Sequence, residues 1–157
     1  MTDRPIEGLD DIDRTILRIL AQDPRIPYSD IAEELKEEGH EMSSEGIRYR
    51  VSKLFETTSI LLLTAPKEHG WEVMRLFISV ENAPDSKAET FVELDELPFW
   101  MTCEVMGTYD LYAVATVQSN RDAGDLISAV RGLEHVTEVE HAMETDRTTN
   151  IDNYLSL

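Results

Sequence analysis

The chain has 157 residues and a formal net charge of −18, from 14 basic and 32 acidic side chains. Hydrophobic residues make up 41% and charged residues 29%, which is typical of a globular protein and excludes a disordered one. No apolar run approaches the roughly 18 residues of a membrane-spanning helix. The acidic N-terminus has no apolar signal core. We therefore expect a cytoplasmic protein without membrane contact.

The acidic residues are dispersed through patterned segments and do not form one block. A dispersed acidic surface keeps a protein soluble where salt screens the repulsion between like charges. This favours a protein from a salt-loving organism with a high-salt cytoplasm. The alternative explanation is an acidic protein that binds a basic partner.

Three helical patterns fill the first third of the chain. Apolar residues at helical spacing follow Leu9, with aspartates in the first turn, and two prolines end this helix. The second helix, "YSDIAEELKEEG", ends near Gly39. The third has Ser43 as its N-cap. Its inward stripe is Ile47, Val51, Leu54 and Phe55.

The outer face of the third helix is basic and hydrogen-bonding, although the protein is acidic. In a helix-turn-helix the last helix enters the DNA major groove while flanking cations hold phosphates. An amphipathic helix with a solvated charged face explains the pattern equally well, so the residues alone leave both interpretations open. The candidate DNA contacts are Ser43, Ser44, Arg48, Tyr49, Arg50, Ser52 and Lys53.

Beyond residue 70 the hydrophobic pattern alternates between strands and helices. The order is β-α-β-β-α-β, that of a ferredoxin-like unit. The segments are Val73 to Val80, "KAETFVELDEL", "FWMTCEVM", "LYAVATV", Asp122 to Leu133, and "VTEVEHAME".

The segment "LDDIDRTILRILAQDPRIPYSDIAEEL", followed by "MSSEGIRYRVSKLFE", resembles the Lrp/AsnC family of leucine-responsive or feast/famine regulators. The resemblance runs from about Leu9 to about Thr145. It implies an α+β protein with a winged or helix-turn-helix DNA-binding domain at 1–58 and a hinge strand or linker at 59–70. A ferredoxin-like RAM or ACT-like domain for effector binding and oligomerisation follows at 71–145. A C-terminal tail, 146–157, has no assignment.

Two features of this comparison leave alternatives open. The apolar run from Ile60 to Leu63 matches a family strand that pairs with a second subunit, but a buried strand within one chain has the same pattern. The segment "KEEGHEMS" makes the turn before the third helix several residues longer than the family pattern. It also adds acid beside the DNA face, which alters how that helix is expected to dock.

The turn "GTYD" matches the family's "GxxD" turn, which lies by an amino-acid effector crevice between subunits. Its hydroxyl, carboxylate and backbone groups suit the ammonium and carboxylate of a small amino acid. The alternative is a simple hairpin turn. The candidate effector contacts are Met106, Gly107, Thr108, Tyr109 and Asp110.

Catalytic and metal-binding patterns do not emerge from the sequence. The four histidines have no metal-ligand spacing with each other or with Cys103. The chain contains no nucleophile-elbow, phosphate-loop or dinucleotide motif. We therefore expect no enzyme activity, no metal and no cofactor.

The resemblance implies a sequence-specific transcription regulator that responds to a small effector, such as an amino acid. Its expected partners are a double-stranded DNA operator and further copies of itself in a homodimer or higher homo-oligomer. The alternative is a metabolite-sensing or protein-interaction module of the same fold that does not bind DNA strongly. The longer turn and the acidic N-terminal third favour that alternative.

Overall fold

The computed structural model describes residues 8–58 and 65–155. These residues form two compact units, the first made of residues 8–58 with 148–155 and the second of residues 65–147. Within the described ranges, no helix combines the length and the apolar character needed to cross a membrane.

The first unit is a bundle of three helices joined later by a short fourth. The helices are α1 (Asp11–Gln22), α2 (Tyr28–Glu37) and α3 (Ser44–Phe55). Each buries one face, as its 3.6-residue period predicts. The shared core consists of Ile16, Ile19, Ile31, Leu35, Ile47, Val51 and Leu54.

The helix ends confirm two sequence predictions. Ser43 caps α3, because its Oγ accepts a hydrogen bond from the Gly46 amide at 3.2 Å. Gly39 stops α2 with a φ of +91°, a left-handed conformation that favours glycine. The amides of Gly39 and His40 donate to the carbonyls of Lys36 and Leu35, which is a Schellman motif. The six-residue turn 38–43 therefore leaves α2 in a defined direction.

The C-terminal tail returns to the first unit. Its helix α6 (Ile151–Leu155) contacts α1, and Leu155 is buried. The sequence left this tail without an assignment, because five residues are too few to show a helical period.

The second unit has the β-α-β-β-α-β order predicted from the sequence. A 3₁₀ turn (Pro66–His69) precedes β1 (Glu72–Val80), α4 (Ser86–Asp95), β2 (Met101–Glu104), β3 (Leu111–Val117), α5 (Asn120–Arg131) and β4 (Val136–Met143). The sheet order is β2-β3-β1-β4, and all neighbouring strands are antiparallel. This is the ferredoxin-like arrangement.

The two faces of this sheet differ in chemistry. Successive residues of β1 face opposite sides of the sheet, and Met74, Leu76 and Ile78 face α4 and α5. They form the core there with residues such as Leu94 and Val130. Arg75 and Phe77 alternate with them and lie on the opposite face. Phe77 is there in register with Tyr112 of β3 and Glu140 of β4.

Three details differ from the sequence predictions. Phe55 is 44% exposed and not inward, because it lies at the edge of the stripe where α3 ends. Strand β2 spans only Met101–Glu104, since a turn follows it directly. The described residues 8–58 contain no strand, so within them the first unit is a helix-turn-helix without a wing. The predicted hinge strand, Ile60 to Leu63, lies outside the described residues.

Candidate DNA-binding and effector sites

The outward face of α3 carries most of the side chains predicted to contact DNA. Tyr49 is 71% exposed in the middle of the helix. The Arg48 side chain is 65% exposed and lies 3.8 Å from Glu45, an exposed pairing that adds little energy. Ser44, Ser52 and Lys53 are exposed on the same helix. This face therefore presents two cations, an aromatic ring and hydroxyl groups to solvent.

Arg50 differs from the sequence expectation that it would be exposed. Its side chain is only 28% exposed, and Nη1 lies 2.7 Å from both Asp10 Oδ2 and Asp13 Oδ1. At helical spacing Arg50 lies at the flank of the buried stripe, next to Val51, and its contacts show that the N-terminus of α1 faces that flank. Arg50 thus joins α3 to α1 and is not displayed like Arg48.

The two aspartates also form the capping box of α1. Asp10 Oδ1 accepts from the Asp13 amide at 2.8 Å, and the Asp13 carboxylate accepts from the Asp10 amide at 3.3 Å. Burial of Asp10 opposes its ionisation, but the bonds from the Asp13 amide and Arg50 outweigh it and lower its pKa. The bonds to Asp10 and then Asp13 raise the pKa of Arg50. The ion pair is therefore fixed in its charged form.

The longer turn between α2 and α3 is also tied to α1. Thr15, which is 5% exposed, donates its hydroxyl to Glu38 Oε2 at 2.9 Å. Arg18 Nη1 lies 3.9 Å from the other oxygen of the same carboxylate. Of the acids expected beside the DNA face, Glu38 is thus held by α1, while Glu41 and Glu45 remain exposed.

The predicted effector turn follows β2, and Asp110 is its structural anchor. Asp110 Oδ2 accepts from the Val80 amide at 3.0 Å, and the Asp110 amide donates to the Ile78 carbonyl at 3.0 Å. Its carbonyl accepts from the Val105 amide at 2.9 Å. These bonds join the turn to the end of β1. The Oδ2 atom of the Asp110 carboxylate is therefore engaged in holding the turn on β1.

The other residues of this turn are more accessible. Met106 is fully exposed, Gly107 has a φ of +155° that favours glycine, and Thr108 is exposed. The Tyr109 ring lies 5.3 Å from the ring of Phe77, and its hydroxyl donates to Glu140. That bond raises the pKa of Tyr109. The turn therefore presents an exposed loop beside an aromatic and acidic patch.

Two charged clusters in the second unit were not found from the sequence. Glu144 binds Arg75 and also accepts from Arg147 Nε at 2.8 Å, and Arg75 also donates to the Tyr112 hydroxyl. His135 Nδ1 lies 2.7 Å from Glu81 Oε1, and its Nε2 lies 2.8 Å from Glu89 Oε2. Most of these partners lie far apart along the chain, so no local spacing indicates them. Residues 8–58 and 65–155 contain no group of three or more His, Cys, Asp or Glu able to hold a metal ion.

Three packed helices with an exposed polar face on the third, followed by a ferredoxin-like sheet, define the class as a helix-turn-helix protein with a second α+β domain. Residues 9–54 match the model of the AsnC-type helix-turn-helix domain. The three helices of the first unit are thus similar to that domain type, which supports the resemblance drawn from the sequence.

Curated relatives extend the similarity beyond this domain. The chain is 29% identical to HTH-type transcriptional regulator LrpA of Pyrococcus horikoshii, over 83% of this chain and 92% of that protein. Other relatives from Pyrococcus are described as uncharacterized HTH-type transcriptional regulators.

Solved structures confirm the fold over most of the chain. E. coli AsnC matches with a TM-score of 0.70 and 22% identity, over 91% of this chain and 96% of that one. The regulator NMB0573 of Neisseria meningitidis, solved as a complex with L-Met, matches with a TM-score of 0.70 and 15% identity, over 91% and 94%. The α+β arrangement predicted from the sequence is therefore confirmed.

Proposed function

We propose that this chain is a DNA-binding transcription regulator whose second domain responds to a small effector. The observation that carries the proposal is the exposed face of α3, where Arg48, Tyr49, Ser52 and Lys53 stand on an AsnC-type helix-turn-helix domain. The curated relatives are described as HTH-type transcriptional regulators, which supports a regulatory role and not an enzymatic one. The protein acts in the cytoplasm, where its operator is accessible.

The residues of α3 divide into two roles. Arg48 and Lys53 neutralise phosphates or donate to guanine, while Tyr49, Ser52 and Ser44 reach base edges in the major groove. The Ser43 hydroxyl caps the helix through its oxygen, and its proton is available to a phosphate. Arg50 acts by positioning α3 against α1, because Asp10 and Asp13 occupy its guanidinium.

A titration by fluorescence anisotropy with DNA from the protein's own upstream region tests this proposal. The variant Arg48→Ala/Lys53→Ala is expected to weaken binding by about tenfold or more, near 1.4 kcal/mol, while the protein stays folded. Arg121→Ala is the matched control, since Arg121 is 90% exposed in the second unit and pairs only loosely with Asp125 at 3.9 Å. Equal affinity for all three proteins would refute the recognition-helix assignment.

The effector is a small amino acid held near residues 106–110. A regulator of the same fold has been solved with L-Met, which supports this class of ligand. Met106, Gly107 and Thr108 are the exposed residues, Tyr109 is half-buried, and Asp110 holds the turn in shape. Thermal shift measured with each of the proteinogenic amino acids is the test, and the absence of a shift with every one of them contradicts it.

The protein works as a homodimer or a higher homo-oligomer on a two-fold operator. An operator with two half-sites requires two recognition helices related by symmetry. The hinge strand expected at Ile60 to Leu63 would pair between subunits. Sedimentation velocity of the full chain tests the assembly, and a monomer at all concentrations would contradict it.

A metabolite-sensing or protein-interaction module with weak DNA binding is the second candidate. The exposed Glu41, which precedes α3, and Glu45 in its first turn favour it, because they repel phosphate. The anisotropy titration with the same upstream DNA separates the candidates. A module that does not bind DNA strongly would leave the anisotropy of the DNA unchanged at both low and high salt. The proposal of a high-salt cytoplasm rests on the net charge of −18 alone. The named relatives come from Pyrococcus and do not support a salt-loving source.

A further inference from the structure

We infer that residues 144–155 form an intramolecular strap, whose helix α6 docks on α1 of the DNA-binding unit and ties that unit to the last strand of the sheet. The two ends of the strap lie in different units, because β4 belongs to the second and residues 148–155 belong to the first. The docking is independent of the proposed function. Only a role of the strap in connecting the effector domain with the recognition helix rests on the proposed function.

The first anchor of the strap lies directly after β4. The Glu144 side chain is only 10% exposed and pairs with both Arg75 of β1 and Arg147 of the strap. The Glu144 amide also donates to the Val73 carbonyl at 2.8 Å, which extends the β1–β4 pairing. Burial opposes the ionisation of Glu144, but the two arginines outweigh it and lower its pKa. The start of the strap is therefore held on the sheet by the ion pairs of Glu144.

The second anchor is α6 on α1. Asn150 Oδ1 accepts from the amides of Asp152 and Asn153, at 2.9 and 3.3 Å, and so caps this short helix. Asp152 Oδ1 lies 2.8 Å from Arg18 Nε, and Leu155 is 8% exposed. An ion pair and a buried leucine therefore hold α6 on α1, although five residues are too few for a stable isolated helix.

The docking site leads toward the recognition helix. Arg18 and Thr15 of α1 also hold Glu38, in the turn that precedes α3. The N-terminus of the same α1 holds Arg50 of α3 through Asp10 and Asp13. Only residues 148–150 separate Arg147 from α6, so the strap links the end of β4 to α1 through a short connection. The strap thereby gives the effector domain a connection to α3 besides the segment after that helix.

Hydrogen exchange by mass spectrometry on the full chain, without DNA or effector, tests this inference. In Asp152→Ala the amides of α1 are expected to exchange several-fold faster than in the unaltered protein. Arg147→Gln, which loosens the anchor on the sheet, is expected to accelerate exchange in both α6 and α1. Arg121→Gln is the control, because its exposed pair with Asp125 lies on α5.

Unchanged exchange of α1 in either Asp152→Ala or Arg147→Gln overturns the strap. Protection of α1 that falls on dilution of the unaltered protein also overturns it, since α6 would then dock on another copy. The variant Asp152→Glu, which keeps the carboxylate that pairs with Arg18, is expected to retain most of the protection lost in Asp152→Ala. Since these measurements contain no DNA, a failure of the proposed function leaves their outcome unaffected.

Discussion

Arg50 of α3 and Asp13 of α1 form an ion pair of 2.7 Å across 37 positions of the chain, and Asp10 accepts from the same guanidinium nitrogen. The pair connects α3, the helix that we propose to face DNA, with the capping box of α1. A cation that local spacing places near the phosphates therefore fixes the angle of α3 instead.

The Arg50 pair is expected to stabilise the first unit. Arg50→Ala should lower the free energy of unfolding by about 1 kcal/mol, since the pair is partly exposed and solvent screens it. Asp13→Asn should have a similar effect, and the double variant should cost little more than either change alone. Chemical denaturation of the four proteins measures this coupling. Strictly additive losses would show that the two side chains act independently.

The dependence of DNA affinity on salt should be unusual. A regulator that neutralises phosphates normally loses affinity steeply as salt rises, through counterion release. Here Glu41 and Glu45 are exposed, and they lie close in the chain to Arg48 and Lys53, the exposed cations of the described helix α3. Screening acts within roughly 3 Å at about 1 M salt and removes the acid–phosphate repulsion. We expect a shallow or positive slope of log affinity against log salt, between about 0.5 and 2 M around that screening scale.

Anisotropy titrations across this range measure the slope. Glu41→Gln/Glu45→Gln should strengthen binding at the low-salt end and make the slope more negative. Glu104→Gln, an exposed change in the second unit, serves as the control. A steep negative slope in the unaltered protein would show that the acidic surface has no part in DNA binding.

The His135 cluster should make stability fall as pH rises through neutrality. The bonds from His135 to Glu81 and then Glu89, opposed by some burial, raise its pKa above the ordinary 6.5. Because the folded state binds the proton more tightly, its stabilisation is full below pH 6.5 while the two carboxylates are ionised. It is lost as pH rises through the folded pKa.

Melting temperatures from pH 6 to about 8.5, a window that brackets this titration, check the sign. His135→Gln should flatten the pH dependence, whereas Arg121→Gln, an exposed change on α5, should leave it as it is. A melting temperature that rises with pH over this window, and does so equally in His135→Gln, would contradict the account.

The main role of Asp110 should be to stabilise the folded protein. Asp110→Ala removes the acceptor of the Val80 amide and should lower the free energy of unfolding by about 1–2 kcal/mol. Thr108→Ala, on the exposed part of the turn, should leave stability within about 0.5 kcal/mol. Thermal melts measure both effects. If an amino-acid effector is found, the loss of its thermal shift in Thr108→Ala with a normal melting temperature would assign the turn to binding.

The sequence by itself determined the elements, their order and the faces they bury. The stripe of Ile47, Val51 and Leu54, the cap at Ser43 and the stop at Gly39 are local signals that act within about four residues. The alternation of strands and helices determined the ferredoxin-like order in the same way. The exposed residues of α3 followed from this local geometry, which is why most of the candidate DNA face was predictable.

The tertiary structure decided which charged side chains are engaged by other parts of the protein and which remain exposed to solvent. The sequence predicts that Arg50 contacts DNA, but its guanidinium binds two aspartates of α1 that are 37 and 40 positions away. The Asp110 carboxylate accepts from the amide of Val80 in β1, which is 30 positions away, and so holds the turn. The docking of α6 likewise depends on Arg18, at the opposite end of the chain. A residue pattern describes one element at a time, whereas the partner of a charge is fixed only when separate elements pack and exclude water between them.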